Sequence, residues 1–179
     1  MNDCAKSSGK IDVVVANVSA LSLDDTAESW RSTFQTDMSG TYSLVQSALP
    51  YLEKTKGNIV TISSVSGRVV DFTAPGPYGA IKAAIIHYTA QLARTLASKG
   101  VRANSCSPGN VYFKGGVWAM MEEQQPEFFK SQIDLNPTGR MATPQEVANA
   151  VLFLASERAS FVSGTNLVVD GARGEGVQF

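Results

Sequence analysis

The 179-residue chain has one histidine, two cysteines, no excess of charge and no long apolar run. Each shortage removes a class of chemistry. A Ser/His/Asp nucleophile system would have to use His87, and no partner pattern surrounds it. His87, Cys4 and Cys106 show neither CxxC nor HxxxH spacing, so no metal site is expected. The cysteines read as unpaired thiols of a reducing compartment. Fifteen Lys and Arg stand against 16 Asp and Glu, a net charge of -1, which makes no electrostatic case for nucleic acid or anionic membranes. Runs such as Val13-Val14-Val15-Ala16 are far too short to span a bilayer. The opening Met-Asn-Asp-Cys lacks the layout of a signal peptide, so the expected location is cytoplasmic. Chemistry is left to Ser, Tyr, Lys, Asp or a cofactor.

What is present is an alternation of short β-rich runs and long amphipathic stretches, with 44% hydrophobic residues against 17% charged. Ile11 to Ala16, apolar and β-branched, suits a parallel strand covered on both faces. Asp25, with Glu28 three residues on, predicts a capped helix start. Trp30, Phe34, Met38, Tyr42, Val45 and Leu49 then recur as one apolar stripe, with Gly40 and Pro50 weakening or bending the helix. A second strand is expected over Asn58 to Ser63, followed by a loop with Gly67, Pro75 and Gly76. Pro77 opens the next helix, with Ile81, Ile85, Tyr88, Leu92 and Leu96 as its stripe and Gly100 as its stop. A third strand covers Val101 to Ser107, closed by Pro108-Gly109. An irregular aromatic-rich segment runs from Val111 to about Leu135. Thr143-Pro144-Gln145-Glu146 starts a helix, and a last strand covers about Thr165 to Val169. This order predicts an α/β domain with a parallel sheet and helices on both faces.

Tyr78 and Lys82 stand at i and i+4 on one helix face. A free Tyr titrates near 10, and a neighbouring ammonium favours the phenolate and lowers that value. The same pair also occurs as a solvated surface pair. Context favours chemistry: the second strand ends in Ser63-Ser64 and the third in Pro108-Gly109. The C-terminal ends of strands are where open α/β sheets place ligands. Three segments therefore converge on one rim.

These segments resemble the short-chain dehydrogenase/reductase family, among its 3-oxoacyl-carrier-protein-reductase-like members. The resemblance runs in order through Asp12 to Asn17, Ile62 to Gly67, Tyr78 to Lys82, Asn104 to Gly109, Gly139 to Ala148, Phe161 to Gly164 and Val168 to Gly171. It implies a Rossmann-like fold, here as a single incomplete domain over 1–179 with about four strands kept. It also implies an NAD- or NADP-dependent oxidoreductase moving a hydride between nicotinamide and a carbonyl or alcohol. Tyr78 would be the acid/base, Lys82 would lower its pKa and hold the nicotinamide ribose, and Ser64 would orient the substrate oxygen. A bound cationic cofactor ring would add to the effect of Lys82 on Tyr78. Asn17 would sit by the ribose, and Pro108, Gly109 and Val111 at the nicotinamide end. The family's helix Asn, which holds a relay water, corresponds to Asp37, which joins the catalytic set.

Other matches are looser. Ala16-Asn17-Val18-Ser19 keeps one Asn of the family's Asn-Asn-Ala-Gly, and Asn110-Val111-Tyr112-Phe113 lacks the Thr that often follows Pro-Gly. Residues 111–135, with Tyr112, Phe113, Trp118, Met121, Phe128 and Phe129, correspond to the mobile lid and imply a small apolar carbonyl or alcohol substrate. His87 is expected at the surface or an interface, and a homodimer or homotetramer is implied by the two long helices. No Thr-Gly-x-x-x-Gly-x-Gly turn precedes Ile11, where Gly9 is the sole glycine. At roughly 30 residues per βαβ unit, on the order of 80 residues of the family pattern have no counterpart. The expectation is an exposed edge at Ile11 to Ala16 and weakened or lost cofactor binding. Two readings follow: an oxidoreductase, or a non-catalytic remnant acting only in oligomerisation or interaction.

Overall fold

The computed structural model describes residues 1–176. Four strands, β1 (Val13–Ala16), β2 (Asn58–Ile62), β3 (Arg102–Pro108) and β4 (Asn166–Val169), form one sheet in the order β1-β2-β3-β4. All neighbours are parallel, with Val15 opposite Val60, Thr61 opposite Ser105 and Cys106 opposite Leu167. Seven α-helices accompany them: α1 (Asn2–Ser8), α2 (Ala27–Thr33), α3 (Gly40–Thr55), α4 (Pro77–Leu96), α5 (Val117–Gln124), α6 (Pro126–Asp134) and α7 (Pro144–Ala155). A π-helical turn, Phe34–Ser39, joins α2 to α3.

Helices on both faces bury the sheet in two unequal cores. On one face Val14, Ile59, Val101 and Ala103 pack against Val45, Ala48 and Leu52 of α3 and Leu92, Ala93 and Leu96 of α4. On the other, Val60 and Cys106 meet Leu154 of α7. Arg102 fastens that second layer, donating to the carbonyl oxygens of Leu154 at 3.0 Å and Ser156 at 3.1 Å. Asn104 ties β4's approach by donating to Val162 O at 2.8 Å and accepting from Thr165 N at 3.1 Å. These bonds let a strand as polar as Arg-Ala-Asn-Ser-Cys-Ser-Pro run through the interior, because buried polar groups are tolerated when partnered.

Several local expectations change. β1 is not covered on both faces: Val14 and Ala16 are buried, while Val13 and Val15 are 39% and 42% exposed. α7 reaches over β2, β3 and β4 and stops short of β1, and no strand pairs with the outer side of β1 among the described residues. The α2 cap is Thr26, which accepts from Ser29 N, whereas Asp25 accepts from the Trp30 indole at 2.8 Å. The expected stripe is also offset. Trp30, Phe34 and Tyr42 face outward, and the buried row is Thr33, Asp37, Thr41, Val45, Ala48 and Leu52. The cause lies in α4, whose buried Lys82 meets this row and needs a charged partner there. The aromatic segment is not irregular but forms the helices α5 and α6, with Trp118 stacked on Phe128 at 6.2 Å. The helix α1 has no counterpart in the sequence pattern. The Thr143–Glu146 capping box forms as the sequence spells it, and His87 is exposed.

Candidate active site

Two glycines bring the strand-end serines to α4. β2 ends at Ile62, and Ser64 caps a 3-10 turn over Val65–Gly67, accepting from Ser66 N at 3.2 Å. This turn lies directly on the first turns of α4. A Cβ on Gly67 would come within 2.7 Å of the Lys82 carbonyl carbon, and one on Gly79 within 2.7 Å of Ser66 O. Only glycine permits that approach at either position. Ser63 completes the contact by donating to Lys82 O at 2.8 Å. The outcome is that Ser64 and Tyr78 stand together on the wall of one pocket, close enough for the hydroxyl to act on the phenol.

Behind this pair lies a buried ion pair. Lys82 Nζ sits 3.0 Å from Asp37 Oδ2, with the side chains 3% and 0% exposed. Asp37 also accepts from the Ser19 hydroxyl at 2.8 Å and from Ala20 N at 2.7 Å. It therefore holds the loop after β1 as well as Lys82. The wide π turn sets Thr33, Asp37 and Thr41 at steps of four, all facing inward, an irregularity often found at functional sites. Lys82 Nζ also reaches Ile62 O at 3.4 Å and lies 5.6 Å from the Tyr78 ring centroid.

This arrangement reverses the expected shift of Tyr78. Burial pushes its pKa above the ordinary phenol value; the Ser64 hydroxyl opposes this, while the Asp37 and Asp71 charges add to it. Lys82 does not lower it, because its charge is spent on Asp37 at contact distance. At neutral pH the phenol keeps its proton.

The expected site residues fall around two cavities. One, of about 160 Å³, is lined by Ser64, Tyr78 and Gly109, by Ser66, Asp71, Thr73 and Asn110, and by the apolar Trp118, Met121 and Phe128. The other, of about 860 Å³, takes in Asn17, Pro108 and Val111, with Val13, Val15 and Ile62 from the sheet and Val147, Val151 and Leu152 from α7. Asn17, Ile62 and Pro108 all stand at or just past the C-terminal ends of strands, so this groove opens on the rim the sequence pointed to. Lys82 and Asp37 lie beneath the surface and line neither cavity.

Asp71, Thr73, Ser66 and Asn110 had not been singled out from the sequence. Asp71 accepts from Ser66 Oγ at 2.8 Å, from Thr73 N at 2.9 Å and from Thr73 Oγ1 at 2.6 Å. Burial raises its pKa, but these bonds and the charge of Arg173 outweigh burial and hold the carboxyl below the ordinary value. The available signal was Asp-Phe-Thr within the loop, since Asp two residues before Thr is an Asx-turn pattern.

The family profile described as Enoyl-(Acyl carrier protein) reductase matches residues 1–172. The chain belongs to the short-chain dehydrogenase/reductase family. Among its relatives in that family, isoepoxydon dehydrogenase of Penicillium expansum is 43% identical over 172 residues, covering 96% of this chain and 66% of that protein. Meso-2,3-butanediol dehydrogenase of Serratia marcescens is 38% identical over 175 residues, covering 96% and 67%. A solved structure, ElxO with NADP bound, superposes with a TM-score of 0.86 at 29% identity, covering 96% of this chain and 71% of that one. The chain thus spans about two thirds of the length of the curated relatives it matches.

Proposed function

We propose that this chain is an NAD(P)-dependent oxidoreductase interconverting a small carbonyl compound and its alcohol, with Tyr78 moving the proton at the substrate oxygen. The observation that carries this reading is the placement of Ser64 and Tyr78 together on one small pocket, backed by the buried Lys82–Asp37 pair. Ser64, whose hydroxyl proton points to Ser66 in the free chain, turns that proton to the substrate oxygen and orients the oxygen. Tyr78, kept protonated by burial and by the two nearby carboxylates, gives its proton to that oxygen in the reducing direction. Asp37 acts by positioning Lys82 and the loop after β1. Residues 111–135, with α5 and α6, serve as the lid that covers the substrate. The names of the relatives, a butanediol dehydrogenase among them, support a small alcohol as substrate.

The larger groove fits the nicotinamide end of a dinucleotide. Its walls are apolar where Ile62, Pro108 and Val111 meet, and Asn17 supplies a polar group at the end of β1. Asn17 would hold the ribose there, with Pro108, Gly109 and Val111 at the ring, whereas the ribose contact expected of Lys82 would require it to leave Asp37. When bound, the dinucleotide supplies or accepts the hydride. ElxO with NADP bound supports this class of cofactor. No Gly-rich turn flanks β1 among the described residues, so the fit is to the ring and ribose and not to the phosphates.

A titration of purified chain into NADPH and NADH, read by cofactor fluorescence, tests the reading. Binding is expected, with Tyr78→Phe retaining it while turnover falls by about 10²–10⁴-fold, the usual size of an acid/base contribution. No binding at millimolar cofactor rejects the enzyme reading for this chain. The unpaired outer side of β1 favours a second reading in that case, a module that acts only by pairing with another chain.

A further inference from the structure

The small pocket has one apolar wall and one polar wall, and the polar wall does more than present Ser64 and Tyr78. Ser64 Oγ donates to Ser66 Oγ at 3.2 Å, and Ser66 Oγ donates to Asp71 Oδ2 at 2.8 Å. The carboxylate is therefore two hydrogen bonds from the hydroxyl that orients the substrate. Its Oδ1 is occupied by both the amide and the hydroxyl of Thr73. Among the described residues Oδ2 accepts only from Ser66, and a carboxylate oxygen has room for a second donor. Asp71 lines the pocket and is only partly buried, so its carboxylate is within reach of a molecule bound there. Asn110, on the same pocket, carries a buried side-chain nitrogen with no acceptor among the described residues. An acceptor with a free site beside Tyr78 and Ser64 favours a ligand that brings a donor to it.

We infer that Asp71 is a specificity-determining residue that selects a substrate bearing a second hydroxyl on the carbon next to the reacting one. This rests on the proposed function, since it assumes that Ser64 and Tyr78 hold the reacting oxygen. The second hydroxyl donates to Asp71 Oδ2. Trp118, Met121 and Phe128 cover the hydrocarbon backbone. A mono-alcohol of the same carbon skeleton fills the apolar wall but leaves the carboxylate unmatched. The substrate class is thus a vicinal diol or hydroxy-ketone, not the purely apolar compound that the aromatic segment implied.

The test is binding by saturation-transfer NMR of 2,3-butanediol and 2-butanol to the purified full chain, with dissociation constants from titration. The diol is expected to bind about tenfold or more tightly than 2-butanol, the size of a hydrogen bond to a charged acceptor. In Asp71→Asn the two alcohols should bind within about twofold of each other. Equal binding to the unaltered chain overturns the role of Asp71 while leaving the proposed function standing, and needs no variant. A preference that survives in Asp71→Asn overturns it too. If neither alcohol gives a transfer signal that Trp118→Ala weakens, the pocket takes no alcohol, and the proposed function falls with the inference.

Discussion

Asp37 shows most directly how one side chain sets the state of another. Its carboxylate lies at 0% exposure against Lys82, and the pair leaves Tyr78 protonated. Asp37→Asn keeps an acceptor for Ser19 and Ala20 but removes the charge. The Lys82 ammonium then acts on Tyr78 unopposed, and the phenol should titrate at lower pH than in the unaltered chain. Difference absorbance of tyrosinate, compared with a Tyr78→Phe background, reads this without turnover. Asp37→Ala is more drastic, because it leaves a buried ammonium without its partner. It should cost about 3–5 kcal/mol in urea unfolding, as breaking one side of a buried pair does. A loss no larger for Ala than for Asn would show that the charge of the pair is not what matters. In the sequence, Tyr78, Lys82 and Ser64 were legible from their spacing and resemblance. The sign of the Tyr78 shift was not, since it depends on a carboxylate 45 residues from Lys82 in sequence meeting it in space.

At the scale of elements, α7 shows how far local sequence reaches. Thr143, Pro144 and Glu146 spell a helix start, and the capping box forms, with Glu146 Oε2 accepting from Thr143 N at 2.8 Å. Arg140 adds a bidentate contact to the same carboxylate, at 2.6 and 2.8 Å. The Arg140 bond first, then the Thr143 amide, hold the Glu146 pKa at about 2 against an ordinary 4.5. A lowered folded-state pKa stabilises above the unfolded value and ceases to do so as pH falls through the folded one. The contribution is therefore whole above pH 4.5 and lost between there and about 2. Thermal melts of Glu146→Gln and the unaltered chain should differ at pH 6 and converge near pH 2; a gap that persists at pH 2 would assign the effect to packing. The aromatic segment read as irregular because α5 and α6 are short, and Pro126 opens the second straight after the first ends. Their apolar faces are defined by each other, as in the Trp118–Phe128 stack, and not by a long period in either.

Across the whole molecule the sheet is asymmetric. β2 and β3 have helices over both faces, whereas β1 offers an unpaired outer side and two exposed valines to an 860 Å³ apolar groove. An open, apolar edge strand is a pairing template. The chain is therefore expected to associate with itself as its concentration rises, followed by light scattering. Val15→Lys, which sets a charge in that groove, should reduce the association. A single species at all concentrations in both proteins would argue that the edge is covered by the chain's own surface. No helix among the described residues is long and apolar enough to cross a membrane.

The sequence by itself determined the order of the four strands and of the long helices between them, the parallel sheet, the rim where Ser64, Tyr78 and Pro108 meet, and the α7 cap. These rest on short-range patterns: β-branched runs, turn residues at strand ends, and spacings within one helix. Only the tertiary structure decided which face of α2 and the π turn is buried, that Asp37 neutralises Lys82, and that Asp71 stands on the pocket wall. Each of these depends on a contact between segments far apart in sequence. There the requirement to partner a buried charge or fill a shared cavity overrides the local hydrophobic pattern.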